Sequence, residues 1–173
     1  MGLRRFAIAL GLALAAAGAW RAPARAGGDD PAFVALGLGY FDVAQGEDGA
    51  VDFRLEYRHD RRLWIFKPWV GIEATSDGAV YGAGGVLIDV YLGRRVVVTP
   101  SFGVGGYAQG DGKDLGSTVE FRSQIEAAYR FDDRSRLGLA FGHISNASLG
   151  DRNPGTEILN VYYSIPLTAI LGE

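Results

Sequence analysis

The stretch Val51-Asp52-Phe53-Arg54-Leu55-Glu56-Tyr57-Arg58 decides the fold. Successive side chains of an extended chain point to opposite faces, so Val51, Phe53, Leu55 and Tyr57 share one face and Asp52, Arg54, Glu56 and Arg58 the other. The segment Val119 to Phe131 repeats the pattern: Val119, Phe121, Ile125, Ala127, Tyr129 and Phe131 have one parity, and Glu120, Arg122, Gln124, Glu126 and Arg130 the other. Alternation alone does not say which face is inside. A soluble barrel turns its apolar face inward, whereas a membrane barrel turns it to lipid and keeps a polar interior.

Working outward from these two segments, the period-two pattern defines eight candidate strands at about 32–45, 50–59, 62–76, 79–91, 95–108, 118–131, 135–147 and 156–167. Many are ten or more residues long, the length a tilted strand needs to cross a bilayer. The connections at His59–Arg62, Leu92–Arg95 and Asp132–Ser135 are short and charged. Those at Gln109–Ser117 and Ser148–Gly155 are longer, Gly46–Ala50 is intermediate and Ser76–Gly78 is tight. Short turns at one end and longer loops at the other are the pattern of an outer-membrane barrel, and an even strand number leaves both termini in the periplasm. The expected fold is therefore all-β, an eight-stranded antiparallel transmembrane β-barrel. A barrel of that size is filled by side chains. Arg54, Glu56, Arg58, Glu120, Arg122, Glu126 and Arg130 are then expected to pair with one another inside it rather than to line a pore.

The start of the chain supports export. Met1-Gly2-Leu3-Arg4-Arg5 is basic, an apolar run follows from Phe6 to about Trp20, and Ala24-Arg25-Ala26 supplies small residues at a cleavage spacing. Residues 1–26 are expected to form a signal peptide and residues 27–173 a single barrel domain. Bulk composition excludes several other classes. The formal net charge is -3 with no basic block, which gives no footing for nucleic acid. There is no cysteine, and the two histidines are His59 and His143, so neither a disulfide framework nor a thiolate or multi-histidine metal site is expected, and no cofactor is implied. The 26 glycines suit many strands joined by tight turns.

The last hairpin differs from the others. On the seventh candidate strand His143 and Ser145 share parity with Leu137, Leu139 and Phe141; on the eighth, Glu157 shares parity with Leu159, Val161, Tyr163 and Ile165. If the apolar series faces lipid, these three polar residues face outward where the apolar band stops, beside the Ser148–Gly155 loop. Folding an antiparallel hairpin about Asp151 brings Glu157 within reach of His143. A serine hydroxyl is a weak nucleophile until an imidazole takes its proton, and a carboxylate fixes the imidazole tautomer. A nucleophile on the outer wall would meet ester bonds of membrane lipid. The residues alone leave open a non-enzymatic barrel, with His143 and Ser145 facing headgroups at the girdle and a structural or adhesive role for the loops. They also leave open a soluble periplasmic lipid-binding barrel.

His143-Ile144-Ser145-Asn146-Ala147, followed by Asn153-Pro154-Gly155-Thr156-Glu157 and a strand ending Ser164-Ile165-Pro166, resembles the lipid A 3-O-deacylase family of PagL type. The resemblance covers the order, spacing and loop of the terminal hairpin; the earlier strands share its pattern. It implies an eight-stranded outer-membrane barrel whose partners are the membrane and lipid A (lipopolysaccharide) in the outer leaflet. The implied activity is hydrolysis of the ester-linked 3-hydroxyacyl chain at position 3, with acyl transfer to another acceptor as the rival chemistry. The implied roles are nucleophile for Ser145, base for His143 and orienting carboxylate for Glu157. Asn146, through its backbone N–H, and Asn153, through its side chain, are secondary candidates for the oxyanion. Gly155 is expected at a turn position that needs positive φ. A homodimer is compatible with the pattern.

Overall fold

The computed structural model describes residues 24–26 and 30–172, so residues 1–23 of the expected leader lie outside the described residues. The strands are β1 (Ala24–Ala26), β2 (Phe33–Phe41), β3 (Ala50–Arg58), β4 (Lys67–Thr75), β5 (Val80–Leu87), β6 (Val90–Leu92), β7 (Val96–Ala108), β8 (Val119–Arg130), β9 (Arg136–Ser145) and β10 (Thr156–Pro166), followed by a short helix α1 (Leu167–Leu171). Every pairing is antiparallel. The ladder closes through β7–β8 at one seam and β2–β10 at another. Since β5 and β6 are two halves of one barrel strand, the result is a closed eight-stranded antiparallel barrel. The strand β1 takes the edge of β6 beyond the start of β4. Closure leaves no barrel edge unpaired, which a bilayer requires.

The polarity is inside-out. Leu36, Leu38, Phe53, Leu55, Val70, Ile72, Phe102, Val104, Leu137, Leu139, Val161 and Tyr163 are exposed on the outer wall, while Arg54, Glu56, Arg58, Glu73, Glu120, Arg122, Glu126 and Arg136 are buried within. Water would not select such an exterior, and a bilayer would. The barrel is transmembrane.

The interior is an ion network, as the charged parity of β3 and β8 implies. Arg58 Nη2 reaches Glu126 at 2.8 Å and Glu56 at 2.9 Å; Arg122 Nη2 reaches Glu56 at 2.6 Å; Arg54 Nη2 reaches Glu73 at 2.7 Å. Arg122 also stacks on the Trp69 ring at 4.0 Å. Gly103 makes room for that ring, because a β-carbon there would lie 2.4 Å from it. Two residues depart from the expected inner set: Glu120 is buried with no ion-pair partner among the described residues, and Arg130 leaves the network. Arg130 is bound to Asp30 at the end of the barrel where β2 begins and β10 ends, together with Arg136.

Three element boundaries differ from the sequence pattern. β4 begins at Lys67 rather than near residue 62, because Leu63 bridges to Phe66 across a turn in which Trp64 has φ 63°. The connection there spans 59–66 and is no longer a four-residue turn. β2 ends at Phe41, where Asp42 adopts φ 61°. The barrel strand from Val80 to Leu92 is interrupted at Ile88–Asp89, opposite Pro100, which has no N–H to give the ladder.

Candidate active site

Strand register brings the outward polar residues together. Glu157 on β10 is the direct cross-strand partner of His143 on β9, and the other neighbour of His143 is Ser123 on β8. Ser145 stands one row nearer the loops, opposite Phe121. The next row toward the barrel middle is Ile125, Phe141 and Leu159. On β9 and β10 the polar group thus begins where the apolar series ends, while β8 continues with Phe121.

His143 Nδ1 lies 3.4 Å from Glu157 Oε1, with side chains 24% and 22% exposed, and Ser145 is half-buried on the same face. The pair is sheltered yet open to the lipid side. Gly155 packs against the imidazole: its φ is 66°, and a β-carbon there would fall 2.9 Å from His143 Cε1 and 3.4 Å from Nε2. Glycine is needed at this position twice over, for the backbone conformation and for the close approach.

Asn146 has its side chain turned inward and fully buried. Its Nδ2 donates to Leu115 O at 2.8 Å and Arg152 O at 2.7 Å, and its Oδ1 accepts from Ser148 N at 2.8 Å. It therefore ties the 109–118 loop to the 146–155 loop. The backbone N–H of Asn146, expected to face an oxyanion, donates here to Asn153 Oδ1 at 3.1 Å. Asn153 correspondingly turns its carbonyl oxygen to the chain beside Ser145.

A buried clamp behind Glu157 was not anticipated from the sequence. Asp42 Oδ1 accepts from Lys113 Nζ at 2.6 Å and from Thr156 Oγ1 at 3.3 Å, and Lys113 Nζ also reaches Gln45 Oε1 at 2.6 Å. Val43 N donates to Glu157 O at 3.0 Å. Burial raises the Asp42 carboxyl pKa, but the Lys113 ammonium and the Asp48 N–H outweigh it and hold the group below the usual carboxylate range. The signal available in the sequence was Asp42 directly after an apolar strand; its partner lies 71 residues away and could not be read.

A hydroxyl, an imidazole and a carboxylate stand on one face of two paired strands, and these are the groups that nucleophilic acyl transfer requires. The model of the family described as lipid A 3-O-deacylase (PagL) matches residues 48–166, which include all three. This chain belongs to the PagL family. The lipid A deacylase PagL of Bordetella bronchiseptica is 25% identical over 99 residues, 56% of each chain. That of Pseudomonas aeruginosa is 34% identical over 55 residues, 32% of each. The chain spans about half or less of the length of these curated relatives. A crystal structure of the outer membrane enzyme PagL matches with a TM-score of 0.63 and 21% identity, over 78% of this chain and 99% of that one, which shows the shared barrel fold.

Proposed function

We propose that this PagL-family barrel is an outer-membrane lipid A deacylase, a serine-type ester hydrolase that removes the 3-hydroxyacyl chain esterified at position 3. The observation that carries the reading is the direct pairing of Glu157 with His143, with Ser145 on the same outward face at the border of the apolar wall. The names of the two curated relatives support lipid A as substrate. Residues 1–26 act as a cleaved signal peptide, so that β1 belongs to the precursor alone; both mature termini lie in the periplasm, and the longer loops face outside. Lipid A in the outer leaflet then reaches the wall of β9 and β10 by lateral diffusion.

Ser145 Oγ attacks the ester carbonyl while His143 takes its proton. Glu157 keeps the imidazole oriented and stabilises the imidazolium. Collapse of the tetrahedral adduct breaks the bond to the sugar oxygen, which leaves with the proton from His143. Water, deprotonated by His143, then attacks the acyl-serine, and the 3-hydroxy fatty acid departs as Ser145 regains its proton. Each step needs the three side chains on one face and a substrate carbonyl at the edge of the hydrocarbon.

The test is mass spectrometry of lipid A from cells expressing the wild type or Ser145→Ala. Loss of one 3-hydroxyacyl mass in the wild type and not in the variant is expected. Intact lipid A in both, together with no hydrolysis by folded protein in detergent, would overturn the reading. Appearance of the chain on another acceptor, rather than as free fatty acid, would make the enzyme a transferase.

A further inference from the structure

One hydroxyl on the lipid-facing wall has no part in that scheme. The outward series of β8 reads Val119, Phe121, Ser123, Ile125, Ala127 and Tyr129, and Ser123 interrupts its apolar course close to the site. A hydroxyl facing hydrocarbon without a partner is costly. Register places Ser123 directly opposite His143, on the flank away from Glu157, so a single row across β8, β9 and β10 reads Ser123, His143, Glu157. Ser123 is half-buried, as His143 and Glu157 are.

The position of this row relative to the nucleophile indicates its partner. Ser145 is two residues further toward the loops, about 7 Å along the strand. An ester carbonyl held at Ser145 has its sugar at headgroup level, and its acyl chain runs toward the barrel middle. The chain must pass the His143–Ser123 row before it reaches Ile125, Phe141 and Leu159. C3 lies two bonds from the carbonyl carbon, short of that row, and its hydroxyl, a hydrogen bond of about 2.8 Å and the reach of the Ser123 side chain span the remaining gap.

We propose that Ser123 is a specificity-determining residue whose Oγ exchanges a hydrogen bond with the hydroxyl at C3 of the scissile acyl chain. The inference rests on the ester-hydrolase reading above and adds the group that selects the chain. A serine hydroxyl both donates and accepts, so it satisfies the substrate hydroxyl in a setting where water is scarce. An unsubstituted chain strands the Ser123 hydroxyl against hydrocarbon, and a polar group left unpaired discriminates more strongly than a new contact attracts.

The experiment uses purified full barrel in detergent micelles and two synthetic glucosamine esters, one carrying a 3-hydroxytetradecanoyl chain and the other a tetradecanoyl chain. Folding of each variant is checked by its heat-modifiable migration. The wild type is expected to favour the hydroxylated ester in kcat/KM by about tenfold, the worth of one such hydrogen bond. In Ser123→Ala that ratio should fall toward one, and in Ser123→Thr, which keeps the hydroxyl, it should recover. An unchanged ratio in Ser123→Ala, equal loss on both esters, or no preference in the wild type would overturn the proposal while leaving ester hydrolysis standing. A folded wild type that cleaves neither ester would instead overturn the hydrolase reading, and this inference with it.

Discussion

Glu157 and His143 are direct cross-strand partners, with 3.4 Å between Glu157 Oε1 and His143 Nδ1, on the wall that faces lipid. In the proposed scheme a carboxylate at that position fixes which imidazole nitrogen carries the proton and leaves the other to act as base. Glu157→Gln keeps the size but loses the charge that stabilises the imidazolium. It should lower kcat by roughly 10²–10⁴-fold, with KM little changed. Initial rates of ester hydrolysis in detergent check this; a variant within twofold of wild type would remove Glu157 from the mechanism.

Gly155→Ala should damage the same pair from the other side. The new β-carbon would meet His143 Cε1 at 2.9 Å, and the φ of 66° adds about 1–2 kcal/mol of backbone strain for a residue with a side chain. The ring must move away from its place beside Glu157, so kcat should fall at least tenfold while the barrel still folds, its unfolding midpoint lowered by roughly 2–8 °C. Wild-type rates in a folded Gly155→Ala protein would show that the imidazole has more room than the geometry allows.

The interior and the loop clamp make separate stability predictions. Glu56 binds Arg58 and Arg122 and accepts from the Tyr162 hydroxyl at 3.1 Å, all inside the barrel. Glu56→Ala leaves two buried guanidiniums short of a counter-charge, at a cost of about 3–5 kcal/mol. Lowered folding yield and a lower unfolding midpoint should follow in urea titrations of the refolded barrel, a loss that a lipid-facing change such as Leu139→Ala should not reproduce.

At the loop end, Asp42 is held below its ordinary carboxyl pKa by Lys113 after burial has raised it. A carboxyl depressed in the folded state adds stability that is complete above its unfolded value, about 4, and is lost as pH falls through the depressed one. The 42–49 and 109–118 loops should therefore become protease-sensitive only in strong acid in the wild type. In Asp42→Asn they should already be sensitive at neutral pH. Equal protection of both proteins at neutral pH would show that the ion pair does not hold the loops.

Much of this architecture was legible because alternation is local. The parity of Val51–Arg58 and Val119–Phe131 assigned the charged face without any knowledge of neighbours, and His143, Ser145 and Glu157 inherit their outward direction from the same parity. What escaped depended on register or on single backbone angles. Leu63 to Phe66 is apolar at four consecutive positions, so nothing in the pattern marked the turn that Trp64 makes. Pro100 sits in a good strand yet interrupts its neighbour at Ile88–Asp89. Ser123 carries the right parity, but its place beside His143 is visible only once β8 and β9 are aligned. Asp42 and Lys113 lie in different loops, and closure of the barrel is what brings them together.

Asn153 offers a discriminating pair of substitutions. Its Oδ1 accepts the backbone N–H of Asn146 at 3.1 Å, and because a backbone N–H can only donate, the orientation of the amide is set. The amide NH₂ is then a donor close to the residue that follows Ser145. Asn153→Asp retains the acceptor for Asn146 and loses that donor. If Asn153 served only to order the loop, the Asp variant would keep its rate. If the amide stabilises the oxyanion, kcat should fall about 10²–10³-fold, the usual loss for one such donor, with the loop as protease-resistant as in wild type. The expected outcome is the second, measured as kcat on the synthetic hydroxyacyl ester. Asn153→Ala should do further harm, because it also frees the Asn146 N–H and loosens the 146–155 loop against which His143 packs through Gly155.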